Sequence, residues 1–218
     1  MQHGIFEPTT LDDVVISNKH SQVRLAQIVN NQIPFPDFKV GILIWGVWGT
    51  GKTTLARMIP DLMNQARGGA QANSDYHQCS AMNNGSSLLA RAEQRTWYGS
   101  FNKDGLHYVI LDEVDNLTEL AQKQLKAWMN RKDVVFILTT NYLPKVDKGV
   151  QNRCYLIEMN AAEPNDWLPL AHRVVAAYGG KPVPNNVLLP VIADCDGSAR
   201  DILAKLSEIA LDRIDEAA

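Results

Sequence analysis

The chain has 218 residues, 45% of them hydrophobic and 21% charged, with a formal net charge of −3. That composition is ordinary for a globular protein that buries roughly 70% of its unfolded surface, and it excludes a wholesale polycation. No apolar run approaches the roughly 20 residues that span a bilayer, Met1–Pro8 lacks the regions of a signal peptide, and Cys79, Cys154 and Cys195 are too scattered for a disulfide framework or a zinc site. A soluble cytoplasmic protein with no membrane partner is expected.

In chain order, Ser17–Asn31 predicts a short helix carrying Val23, Leu25, Ala26, Ile28 and Val29, and Pro34 and Pro36 punctuate the chain before a first strand, Val40–Trp45. A helix follows from about Thr50. Pro60 inside it predicts a kink or a restart, and Arg67-Gly68-Gly69 marks its end. Tyr76–Ala81 reads as a weak strand, Asn83-Asn84-Gly85 as a turn, and Ser86–Trp97 as a helix with Leu88, Leu89 and Ala92 inward. Leu106–Leu111 is a buried-type strand ending in Asp112-Glu113. Thr118 then caps a helix, Glu119–Arg131, whose Leu120, Ala121, Leu125 and Trp128 are expected to share a face. Val134–Thr139 and Tyr155–Glu158 complete the strands, with a loop containing Pro144 between them.

Near-continuous apolar strands separated by helices predict an α/β fold, a parallel five-stranded sheet flanked by helices, over residues 1–159. Beyond it no strand pattern remains. Pro164–Tyr178, Asn186–Asp194 and Ser198–Ala217 have helical spacing, separated by Gly179–Pro184 and Asp196-Gly197, so residues 160–218 are expected to form a small all-helical lid domain.

The stretch Gly46-Val47-Trp48-Gly49-Thr50-Gly51-Lys52-Thr53-Thr54 fits G-x-x-x-x-G-K-[ST] and follows the first strand directly. A turn of this kind aims successive backbone N–H groups and the positive end of the next helix at one point, which suits a polyphosphate. Gly46, Gly49 and Gly51 supply backbone freedom and close approach, Lys52 a charge for the β- and γ-phosphates, and Thr53 a hydroxyl for Mg²⁺. A flexible glycine turn is the bland alternative.

In an open parallel sheet, ligands sit beyond the carboxyl ends of the strands, where Asp112, Glu113 and Asn141 also fall. Asp112 is placed to hold Mg²⁺, directly or through water, and Glu113 to orient and deprotonate the water that attacks the γ-phosphate. Asn141 offers an amide to that water or to the γ-phosphate, or simply forms a turn. Arg153 precedes the last strand, on the far side from the glycine turn. It fits its own nucleotide poorly and suits a neighbour's site as an arginine finger, the alternative being a surface arginine. Arg200, in the first turn of the final helix, does not help the helix dipole and asks for another partner: a nucleotide phosphate between the two domains, or a salt bridge with Asp201 or Glu208.

Over nearly its whole length the chain resembles AAA+ ATPases of the clamp-loader branch, particularly replication factor C small subunits and their phage counterparts. Val109–Thr118, then Ala121-Gln122, Leu125-Lys126 and Met129, is similar to their Walker B segment and following helix. Thr139-Thr140-Asn141 is similar to sensor 1, Asn152-Arg153-Cys154 to the Ser-Arg-Cys motif with Asn in place of Ser, and Gly197-Ser198-Ala199-Arg200 to sensor 2. The resemblance implies an ATP-driven ring or spiral, each site completed by Arg153 of the next subunit, with Val14-Val15-Ile16 and the lid enclosing adenine. It also implies DNA along the inner surface, where Arg91 and Arg95, and Lys123 and Lys126, would each present one cationic face; a solvated helix face is the alternative.

Three departures from the family stand out: Val47-Trp48 replaces the usual two prolines, the family segment after the second strand is blurred into Cys79–Gly85, and the chain stops at Ala218, just after the expected lid, so that the family's helical collar is expected to be absent. Without a collar, self-association through the nucleotide sites is expected. The reading is therefore an oligomeric, clamp-loader-like ATPase using ATP and Mg²⁺, with DNA and a sliding clamp or another replication protein as partners. An ATP-dependent, DNA-bound adaptor that recruits a helicase or transposase is the alternative, and a fragment of a collar-bearing subunit is a third.

Overall fold

The computed structural model describes residues 6–178 and 181–215, with side chains to residue 212. The expected separator Gly179-Gly180 and the expected helix end at Ala217 lie outside them. Five strands, β1 (Gly41–Trp45), β2 (Ser74–Gln78), β3 (His107–Asp112), β4 (Val134–Thr140) and β5 (Cys154–Glu158), form one parallel sheet in the order β2-β3-β4-β1-β5. The helices are α1 (Lys19–Val29), α2 (Lys52–Ala66), α3 (Ser86–Arg95), α4 (Glu119–Trp128), α5 (Lys148–Asn152), α6 (Pro164–Ala177), α7 (Asn185–Ala193) and α8 (Ala199–Asp215).

The chain divides into two compact units. One comprises Lys19–Gly46 and Lys52–Glu158 and contains the whole sheet. The other gathers the described parts of Met1–Asn18, Val47–Gly51 and Met159–Ala218.

Within the sheet unit, β4 is buried at every position because it is central. β2 is an edge strand of polar sequence, Ser-Asp-Tyr-His-Gln, and lies upstream of its expected position at Tyr76–Ala81. Its register comes from pairing with β3, Ser74↔Tyr108 through Gln78↔Asp112, rather than from an apolar pattern of its own. Leu88, Leu89 and Ala92 of α3 and Ala121, Leu125 and Trp128 of α4 pack in one cluster with Leu43, Val109, Leu111, Phe136 and Leu138. The Trp128 ring meets Phe136 edge-on at 4.9 Å. Leu120 does not share this face. It is 68% exposed, because the core stripe of α4 runs through residues 121, 125 and 128 and its neighbour at 120 points about 100° away.

Pro60 does not restart α2, which runs unbroken to Ala66 with Leu55, Ala56, Ile59, Pro60 and Met63 buried. Its end is a glycine cap: Gly68 has φ +82°, its N–H donates to the Gln65 carbonyl, and the Gly69 N–H donates to that of Asn64. The loop expected around Pro144 contains a short helix, α5. The Asp147 carboxylate caps it, accepting from the N–H groups of Gly149 at 2.7 Å and Val150 at 3.2 Å.

In the second unit α6, α7 and α8 enclose Trp167, Leu170, Val174, Leu188, Ile192, Ile202 and Leu206, with Phe6 and Val15 packed against them. Arg173 pairs with Asp13 at 3.0 Å, tying the N-terminal segment to α6.

Candidate nucleotide site

The loop Gly46–Gly51 leads from the carboxyl end of β1 into α2, so the first-turn amides of that helix begin where the loop ends. Gly49 and Gly51 have φ of +77° and +91°, values an L side chain rarely adopts. Gly49 is also hemmed in: a Cβ there would stand 3.0 Å from Ser198 Oγ, and its carbonyl accepts from the Ala199 N–H at 2.8 Å. The Asn160 side-chain oxygen accepts from the Val47 N–H at 3.2 Å, and the buried Thr50 donates to the Val47 carbonyl at 3.1 Å. Trp48 projects into solvent, 78% exposed.

Ile16 is buried and Val15 partly so, next to Ser17, whose hydroxyl contacts the Asn160 carbonyl. Arg200 is exposed in the first turn of α8, one residue after the amide bound to Gly49. Among the described residues it forms no ion pair, so the alternative pairing with Asp201 or Glu208 is not made.

At the carboxyl ends of β1, β3 and β4, Lys52 is buried. Desolvation pushes its ammonium down to about 8, although Asp112, Asp115 and Glu113 pull the other way. Asp112, 4% exposed, is the hub. Thr53 Oγ1 lies 3.0 Å from both its carboxylate oxygens, Tyr76 donates to Oδ2 at 2.8 Å, and Thr139 donates to Oδ1. Burial and the Asp112 carboxylate raise the Tyr76 hydroxyl above its ordinary range, which keeps it a donor even though Arg57 pulls the other way. The Arg57 guanidinium stands 3.9 Å from the centre of the Tyr76 ring.

Glu113 adopts a left-handed conformation, φ 60° and ψ 50°, with its N–H donated to Thr139 Oγ1 at 2.9 Å. Thr139 therefore receives from one member of the acidic pair and donates to the other. Asn116 reaches Glu113 Oε2 at 3.5 Å and the Cys79 carbonyl at 3.0 Å. Cys79 is buried and its thiol is pushed up to about 12 by burial and the neighbouring carboxylates, which makes it inert at neutral pH. Asn141 follows β4 in a bend, and its side chain makes no hydrogen bond among the described residues. α2 thus brings Lys52 and Thr53 to Asp112 and Glu113. Tyr76, Thr139 and Arg57 are added by the structure.

Arg153 lies at the other end of the sheet. Its carbonyl accepts from Val40 and Gly41 at the start of β1, and its guanidinium donates to the Gly149 carbonyl at 3.0 Å and to Asn130 Oδ1 at 3.0 Å. The length of β1 separates it from Lys52 and Asp112, roughly 16 Å at about 3.3 Å per residue. Arg91 and Arg95 are exposed on α3, but Arg95 is paired with Asp75 at 2.6 Å and Arg91 reaches Asn83 at 3.2 Å. Lys123 is exposed on α4, whereas Lys126 is drawn to Asp147 at 3.6 Å, so the two do not form one free cationic face. Among the described residues no helix is long and apolar enough to cross a membrane.

A glycine loop between a parallel strand and a helix, with a lysine, a threonine and an acidic pair at the adjoining strand ends, defines a P-loop nucleotide-binding ATPase. Residues 42–160 match the ATPase family associated with various cellular activities (AAA), and the chain belongs to it. Curated proteins to which it is similar are replication factor C subunits. It is 32% identical over 158 residues to a replication factor C small subunit of Aeropyrum pernix, covering 68% of this chain and 44% of that one. It is 28% identical over 177 residues to replication factor C subunit 5 of Homo sapiens, covering 78% and 48%. The chain spans about half the length of these relatives. The fold is shared with the Thermotoga maritima RuvB Holliday junction branch migration motor, with a TM-score of 0.73 and 13% identity over 98% of this chain and 73% of that one.

Proposed function

We propose that the chain binds ATP with Mg²⁺ and hydrolyses it within an oligomer, working as a clamp-loader-like remodeller of DNA or of a replication partner. The observation that carries this reading is the convergence of Lys52, Thr53 and Glu113 on the threefold-bonded Asp112. The Thr53 hydroxyl and the Asp112 carboxylate, 3.0 Å apart, are hard oxygen donors that fit Mg²⁺. When bound, that ion supplies positive charge to the phosphate oxygens.

Lys52 and the first amides of α2 hold the β- and γ-phosphates, and Glu113 orients the attacking water and takes its proton. Asn141, its amide uncommitted, steadies the same water or the γ-phosphate. Arg200, carried beside the Gly49 backbone, meets the phosphates, and Val15 and Ile16 line the base. Arg153 serves the site of a second copy: it is a sheet's length from its own, and its neutral partners Asn130 and Gly149 fix its direction while leaving its charge uncompensated.

Partner handling draws support from the connection between α3 and β3. Trp97, Tyr98 and Phe101 are 66%, 79% and 92% exposed, yet their loop is pinned. The buried Asn102 bonds the Asn73 and Leu106 carbonyls, and Arg131 holds Thr96. Rings presented on a fixed loop suit a protein partner with an apolar pocket. Arg91, Arg95, Lys123 and Lys126 are the residues through which DNA phosphates would be met.

The test is ATP turnover by the chain alone, with primed DNA, and with primed DNA plus a sliding clamp. Strong stimulation that requires both is the expected result. DNA binding that needs ATP but leaves hydrolysis unchanged would assign the adaptor role instead.

A further inference from the structure

We propose that Tyr76 positions Asp112 for the divalent cation that accompanies the nucleotide, a reading that rests on the ATP site proposed above. Tyr76 lies on the polar edge strand β2, two residues upstream of the Gln78↔Asp112 pairing, and its hydroxyl reaches forward to Asp112 Oδ2 at 2.8 Å. Thr139 holds Oδ1 from the adjoining strand. Two donors on opposite oxygens fix the rotation of a carboxylate about its last bond, and here they leave it facing Thr53 Oγ1, 3.0 Å from both oxygens. Without the tyrosine, Oδ2 keeps only its contact with Thr53, and the plane of the carboxylate is free to turn.

The ring is held in its turn. Arg57, one helical turn beyond Thr53 on α2, stands over it at 3.9 Å. Tyr76 is therefore braced by the same helix that carries Thr53. Tyr76 pairs in register with Ile110, so its ring lies on the face of the sheet opposite the cluster around Val109 and Leu111, and its hydroxyl donates to Asp112. A tyrosine on the edge strand thus reaches the acid at the end of the neighbouring strand.

Tyr76→Phe removes the hydroxyl and keeps the ring. Binding of a fluorescent ATP analogue is measured in EDTA and across a Mg²⁺ titration, and ATP turnover is measured over the same range. Loss of a partner that orients a metal-binding carboxylate predicts a Mg²⁺ midpoint raised about tenfold, with affinity in EDTA within about twofold of wild type and the KM for ATP at saturating Mg²⁺ little changed. Arg57→Gln, at an exposed side chain, is expected to shift the midpoint in the same direction by roughly threefold, and it carries the test if the thermal midpoint shows that Tyr76→Phe does not fold. An unchanged midpoint in the folded variants overturns the proposal. So does a lowered one, which would make the hydroxyl a competitor of the ion. If the wild-type chain shows no Mg²⁺-dependent ATP binding, the site reading itself fails, and that result is separate from anything the variants do.

Discussion

Thr53 and Asp112, 59 residues apart in sequence, meet with the threonine hydroxyl 3.0 Å from each carboxylate oxygen. The contact joins the first turn of α2 to the end of β3, so the helix proposed to face the phosphates and the strand end proposed to face the cation meet at one hydroxyl. Thr53→Val and Asp112→Asn should each lower Mg²⁺-dependent ATP turnover by about 100-fold or more, and the double variant should be little worse than either alone. Additive losses in a double-mutant cycle would show that the two act separately.

Lys52 gives a pH dependence whose sign differs between binding and folding. Burial holds its ammonium at about 8 in the free protein, against an ordinary value of 10.5. Phosphate oxygens favour the charged form, so nucleotide affinity should be constant below about pH 8 and fall as pH rises above it, by at most about tenfold per unit. Folding runs the other way. Between about 8 and 10.5 the unfolded chain holds more of this proton, so the contribution of Lys52 to stability rises with pH across that window. Isothermal titration with an ATP analogue and thermal midpoints, each compared with Lys52→Met, separate the two; a flat wild-type affinity between pH 7 and 10 would contradict the assignment.

The phosphate loop, Asp112, Glu113 and the strands that carry them were legible because a glycine spacing and continuous apolar runs are local signals. Tyr76, Thr139 and Arg57 were not. β2 has no apolar pattern, and its expected span began at Tyr76, so neither its register nor the direction of that side chain followed from the residues. Thr139 appeared only as part of a strand-end motif, since a hydroxyl shared between Asp112 and the Glu113 amide depends on which strands are neighbours. Helical spacing places Leu120 inward because a position at the stripe's edge is ambiguous until packing selects the face, and packing leaves it exposed. Short α5 lies in the stretch that Pro144 marks as a loop, and its five residues are too few to carry a helical apolar stripe.

Gly49 tests the loop itself. With φ +77° and a Cβ position 3.0 Å from Ser198 Oγ, Gly49→Ala meets both backbone strain and a close contact. The variant should lose about 1–2 kcal/mol of stability and at least about tenfold in ATP-analogue affinity. Adding Ser198→Ala relieves the contact and leaves the strain, so the double variant should recover only part of the loss in a thermal melt. Full recovery would mean that the left-handed backbone imposes no cost at this position.

Arg153 and Glu113 lie at opposite ends of the sheet, and this separation predicts complementation between damaged copies. Glu113→Gln removes the proton acceptor but keeps the finger, and Arg153→Ala does the reverse, so each protein alone should be nearly inactive. In a randomly mixed oligomer made from equal amounts, roughly one interface in four joins an intact Glu113 to an intact Arg153 from the neighbouring copy. Mixing should therefore restore up to about a quarter of wild-type turnover, measured after ATP-dependent assembly has been verified by light scattering. The guanidinium's neutral partners sharpen the expectation: Asn130→Ala, which removes its amide anchor, should lower turnover without abolishing it, while Arg153→Lys, which keeps charge but loses the planar fork, should fall close to Arg153→Ala. If the mixture stays inactive while both proteins fold and co-assemble, Arg153 does not serve a neighbour's site.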